Sequence, residues 1–146
     1  MKYFTFFELE YSQTAIANGI KNYPTPEIED NLRMLVERLL DPLRERYGKP
    51  IIVGSGFRCP KVNKLVGGVP TSQHMKGCAA DLQTGTKEGN RQLARLLATC
   101  GLPFDQLIDE HDYSWIHVSY NPSEYQRRQI LRITKQGTKV IKAEEL

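Results

Sequence analysis

The clearest hydrophobic pattern in the chain runs from Ile28 to Leu43. Ile28, Leu32, Leu35, Val36, Leu39, Leu40 and Leu43 recur with a period near 3.6, and Glu37, Arg38, Arg44 and Glu45 occupy the other face. This pattern predicts an amphipathic helix. Thr25-Pro26 supplies its cap and first-turn proline, and Gly48 ends it. Pro42 lies inside the stripe and should kink or restart the helix after Asp41. Upstream, Thr5-Phe6-Phe7-Glu8 has the spacing of a capping box, which predicts a short first helix.

Beyond Gly48 the period changes. "PIIVGSGF", "CAADLQT", "DQLIDE" and "SWIHVSY" read as strands, the last two joined by a tight turn at His111–Ser114. "QILRIT" and "KVIKA", separated by Gln136-Gly137, read as a terminal hairpin. "CPKVNKLVGG" predicts a short helix with Pro60 near its start. "KEGNRQLARLLATCG" predicts a longer one with Leu93, Leu96 and Leu97 inward. Helices dominate early and hairpin strands late. That order favours an α+β fold with a mostly antiparallel central sheet flanked by helices, over a doubly wound parallel one.

Composition narrows the picture. A length of 146 residues suits one domain, 1–146, with a real core. The longest apolar runs, such as "LLATCGL", fall far short of a membrane span. The N-terminal stretch lacks the apolar segment and cleavage site of a signal peptide. The net charge of +3 is mild, and the basic residues are dispersed except in "QRRQILRITKQGTK". This argues against a nucleic-acid partner. Cys59, Cys78 and Cys100 have no CxxC spacing and cannot all pair, so neither a disulfide framework nor a thiolate metal site is implied.

The candidate chemistry sits in "SQHMKGCAAD" and "SWIHVS". The first reads as a loop carrying His74 that runs into a strand carrying Asp81. Alternation sends Ala80 and Leu82 to the core and Ala79, Asp81 and Gln83 to the other face. In the second, Ile116 and Val118 take the core face, and Trp115, His117 and Ser119 the other. His74, Asp81 and His117 would then offer three ligands on one sheet face with a position left for water, as in a catalytic zinc site. Arg58, in "GSGFRCP", stands at a strand end where a guanidinium can bind a carboxylate or polarise a carbonyl. Taken singly, each of these residues is more often an ordinary hydrogen-bonded or ion-paired side chain.

Together they carry a resemblance. "SQHMKGCAAD" fits S-x-H-x-x-G-x-A-x-D, "WIHVS" supplies a distal histidine, and "SGFRCPKVN" lies upstream. This closely resembles the M15 zinc peptidases, the D-alanyl-D-alanine carboxypeptidase and dipeptidase group, and in particular its short M15A-type members from bacteria and phages. The resemblance implies Zn2+ as cofactor, held by His74, Asp81 and His117. It implies Arg58 and Ser72 at the substrate, with Trp115 beside them, and a peptide of peptidoglycan stems as substrate. Many members carry a glutamate base three residues before the last histidine, where this chain has Ser114. Glu110 is the first candidate to replace it, because a hairpin places it opposite Trp115, with Asp112 and His111 next. Carboxypeptidase and endopeptidase action are both compatible with these motifs. A zinc-containing binding module of the same fold is the alternative. A monomer is expected. With no signal peptide read, the expected location is the cytoplasm until release, or delivery to the cell wall by a phage or prophage.

Overall fold

A computed structural model describes residues 1–146. The capping box forms as predicted. Glu8 N donates to Thr5 Oγ1 (3.2 Å) and Thr5 N donates to Glu8 Oε2 (2.8 Å), opening α1 (Phe6–Glu10). A second short helix, α2 (Gln13–Ala17), follows under a Ser12 cap. α3 (Pro26–Leu35) begins under Thr25. The chain then stays helical through a π-turn at Val36–Leu40 into α4 (Asp41–Tyr47), which ends on left-handed Gly48. The π-turn explains how Pro42 is accommodated. A proline inside a helix removes one N–H and crowds the carbonyl four residues back. Here the turn before it widens so that Asp41 N donates to Val36 O. The apolar stripe continues across the junction, and Leu32, Leu35, Val36, Leu39, Leu40 and Leu43 are all fully buried.

Six strands form one sheet in the order β1-β2-β4-β3-β5-β6: β1 (Ile52–Ser55), β2 (Ala79–Gln83), β3 (Gln106–Glu110), β4 (Trp115–Ser119), β5 (Gln129–Thr134) and β6 (Gly137–Val140). All pairs are antiparallel except β3 with β5. The predicted terminal hairpin is present, but Gly137 belongs to β6 and pairs with Thr134, so the turn falls one residue earlier, at Lys135-Gln136. The parallel β3–β5 contact was not readable from the sequence, because pairing between strands distant in the chain has no local signature.

α5 (Pro60–Leu65) and α6 (Lys87–Thr99) complete the fold. The helices and the inner sheet face share one core, in which Leu82, Leu93, Leu97, Phe104, Leu107 and Ile116 are fully buried. The opposite face of the central strands therefore carries the polar residues. No helix is long and apolar enough to cross a membrane.

Candidate metal centre and cleft

His74 stands on a single 3-10 turn, Gln73–Lys76, rather than on a featureless loop. Ser72 caps the turn, its Oγ accepting from His74 N (3.2 Å). Gly77 closes the turn at φ +73, a left-handed conformation that glycine adopts without cost. A side chain at Gly77 would also press within 2.7 Å of Ile28 O. The chain then enters β2. The motif serine and glycine thus build the turn that lifts His74 over the sheet.

Asp81 on β2 is the direct cross-strand partner of His117 on β4. The alternation read from sequence puts both side chains on the face away from the core, as found. His74 Nε2 lies 3.2 Å and His117 Nδ1 3.4 Å from the same atom, Asp81 Oδ1. The two rings meet edge to face with centroids 5.0 Å apart. All three donor sets fall within 4.8 Å of one another.

The polar bookkeeping fits a metal ion. His74 Nδ1 lies 2.7 Å from Gly56 O. A carbonyl only accepts, so Nδ1 carries the proton and Nε2 keeps its lone pair for a ligand. Asp81 Oδ1 is buried and has no hydrogen-bond partner, an oxygen that a cation would satisfy. Burial alone would raise the Asp81 carboxyl, but the His74 and His117 imidazoles beside it outweigh burial when protonated and hold it well below the usual carboxylate range, the same pull a bound cation would exert. Two imidazole nitrogens and one carboxylate are the donors zinc prefers. His74, Asp81 and His117 could hold a metal ion, and their donors suit zinc.

A cleft of about 770 Å³ opens over this centre. Arg58, Ser72, Glu110, His111 and Trp115 all line it. Arg58 N donates to His74 O (3.1 Å), which fixes the arginine beside the ligand turn, and its Nε is buried without a partner. Burial lowers the Arg58 pKa, against the pull of Asp81 and Glu110. Glu110 pairs across strands with Trp115, as the hairpin reading required. Burial, and next the charge of Asp81, raise its pKa, while His117 and Arg58 act to lower it.

Asp112 does not join the cleft. His111, Asp112 and Tyr113 are all left-handed (φ 52, 55 and 56), and the turn carries Asp112 to the groove beside α6. There it is exposed and pairs with Lys87 (3.4 Å). Ser114, where the resemblance led one to expect a base, is also exposed, and its Oγ donates to His111 O (2.7 Å). Sequence reasoning missed several contributors to the site. Gly56 orients His74 through its carbonyl, and Asp105, Gln73 and Arg127 line the far end of the cleft. A backbone carbonyl leaves no trace in the sequence, and Arg127 stood hidden in a basic stretch.

Two comparisons bear on these residues. A family model described as Peptidase M15 matches residues 2–119. Over 49 residues the chain is 47% identical to a protein of Streptomyces albus G named zinc D-Ala-D-Ala carboxypeptidase, a match covering 33% of this chain and 19% of that protein. The match thus takes in only about a fifth of that relative's length.

Proposed function

Because the chain belongs to the M15 peptidase family, we propose that it is a zinc peptidase of peptidoglycan stem peptides, cutting at or near a D-Ala-D-Ala terminus. The observation that carries this reading is the shared sheet face. Asp81 and His117 are paired on β2 and β4, His74 hangs over them, and Glu110 lies one cross-strand pair further along in the same cleft. The name of the Streptomyces albus G relative supports the choice of substrate.

The roles follow from position. A zinc ion on His74, Asp81 and His117 would supply Lewis acidity, lowering the pKa of a water to about 7 and polarising the carbonyl to be cut. Glu110 takes the proton of the attacking water and passes it to the leaving nitrogen. Its burial suits that exchange, because a raised pKa brings the carboxylate closer to the proton affinity needed at neutral pH. Arg58 stabilises the oxygen that gains charge or receives a terminal carboxylate. Trp115 walls the cleft beside Glu110, and Ser72 keeps the His74 turn in place.

Mass spectrometry of defined stem peptides, incubated with and without a chelator, tests the reading and distinguishes carboxypeptidase from endopeptidase products. Metal-dependent release of a terminal D-Ala or an internal fragment is expected. A zinc-loaded protein that binds the fragments and leaves them intact would be a binding module instead.

A further inference from the structure

The cleft extends well past the metal centre. Its floor along β3 runs from Gln106 to Glu110, four residue steps, or about 14 Å of extended strand. His117 lies opposite Ile108, at the middle of that length. Arg58 and Glu110 belong to one half, where each feels the other and both feel Asp81. The other half ends at Arg127, which comes from the segment after β4 and outside the family match.

Arg127 is held unusually firmly for a cleft arginine. Its Nε lies 3.1 and 3.2 Å from the two oxygens of Asp105, and its Nη2 lies 2.7 Å from Oδ2. Asp105 is itself buried, and it also accepts from Arg127 N (3.0 Å) and Gln73 Nε2 (2.9 Å). The guanidinium is therefore clamped on one edge. The side chain remains 47% exposed, and Nη1 is left out of the clamp with two N–H groups free. A clamped fork loses little freedom when it binds a second planar anion.

We propose that Arg127 is a specificity-determining residue whose free Nη1 edge binds a second carboxylate of the substrate, one or two residues from the bond that is cut. The spacing follows from the floor. Gln106 is two strand steps from Ile108, about 7 Å, and a peptide residue spans about 3.5 Å. Arg58 serves the reacting end and Arg127 reads an acidic group at a distance. This deepens the peptidase reading and rests on it. If the clamp merely anchors residues 121–128 to β3, the cleft has no reason to prefer an acid there.

The test uses zinc-loaded full-length protein and pairs of peptides that differ only in a carboxylate or carboxamide, placed one or two residues to either side of the scissile bond. In one pair the acid should be preferred about tenfold in kcat/KM, mostly through KM, the size of one exposed charge-assisted hydrogen bond. In Arg127→Gln, and in Asp105→Asn/Arg127→Gln, which leaves no unpaired buried charge, the ratio should fall to about one. The readout is a ratio within one protein, so a general loss of activity from a disturbed His74 turn does not enter it. Calorimetric binding of the same pairs gives the ratio for peptides that are not cut. Absent hydrolysis therefore overturns the peptidase reading, while the binding ratio still decides the subsite. Equal handling of acid and amide by the wild type, or a preference that survives in both variants, overturns the proposal.

Discussion

The surroundings of Glu110 cost stability, and in the mechanism proposed above they serve activity. Burial and the neighbouring Asp81 charge raise its pKa above that of a free glutamate. Between the ordinary value, about 4.3, and the raised one, the folded chain keeps a proton that the unfolded chain has released. The folded state binds more protons there, so this group's contribution to stability falls as pH rises through that window. Above it, the full cost of burying the charge remains. Glu110→Gln should therefore be more stable than wild type in metal-free protein at pH 7.5, with the gain disappearing towards pH 4. Urea unfolding of chelated protein at the two pH values measures it. Turnover of the same variant with zinc should drop by about 10²–10⁴, the usual worth of a general base. A variant that loses activity and gains no stability would place Glu110's carboxylate in water instead of the cleft wall. That Asp81 and His117 meet was readable at this scale because strand alternation fixes which side chains share a face. The exclusion of Asp112 from the cleft was not, since it depends on the shape of a four-residue turn.

That turn belongs to the scale of elements. Three successive non-glycine residues in left-handed geometry cost about 1–2 kcal/mol each, and nothing in "HDYS" announces them. The turn is held from several sides. Tyr113 N donates to Asp109 Oδ1 (2.7 Å), Ser114 N to Glu110 O (3.1 Å) and His111 N to Ile133 O (3.0 Å). Asn90, buried in the first turns of α6, donates to Tyr113 O (2.8 Å) and accepts from Thr84 N (2.7 Å). One amide thus ties the end of β2, α6 and the β3–β4 turn together. Asn90→Ala should cost about 2–3 kcal/mol, because it strands the buried Tyr113 carbonyl and the half-buried Thr84 N–H and weakens a strained turn. The denaturant midpoint checks this, and a loss below about 0.5 kcal/mol would show that the turn holds itself. The same elements mark the limit of sequence reading. Helices with a 3.6-residue stripe and strands with alternation were legible from α3, α6 and β4. The left-handed turn and the parallel β3–β5 pair were not, because both depend on contacts between distant segments, while Pro42 marked an interruption after Asp41 without revealing its π-turn form.

For the molecule as a whole, a metal ion held by His74, Asp81 and His117 would be a cross-link. Its ligands come from the turn after Ser72, from β2 and from β4, and the turn's carbonyl partner, Gly56, follows β1. Gly56 is also pinned from the other side. A Cβ there would lie 2.3 Å from Leu9 O, and Phe57 N donates to that same carbonyl (2.7 Å), so α1 backs the ligand's support directly. The unfolded chain scatters His74, Asp81 and His117 and binds an ion weakly, so zinc should favour the folded state by mass action. At free zinc about a hundredfold above Kd this amounts to about 2.7 kcal/mol. For a chain of this size, at roughly 3 °C per kcal/mol, the melting temperature should rise by about 8 °C. Magnesium at the same concentration should leave it unchanged, because imidazole is a poor ligand for that ion. Differential scanning calorimetry of chelated, zinc-loaded and magnesium-loaded protein reads all three. His117→Ala should abolish the zinc shift. That shift is read against the variant's own chelated protein, because His117 is itself buried beside Asp81 and His74 and its loss also alters the metal-free melting temperature. A wild-type melting temperature indifferent to zinc would mean that the three residues meet for a purely structural reason.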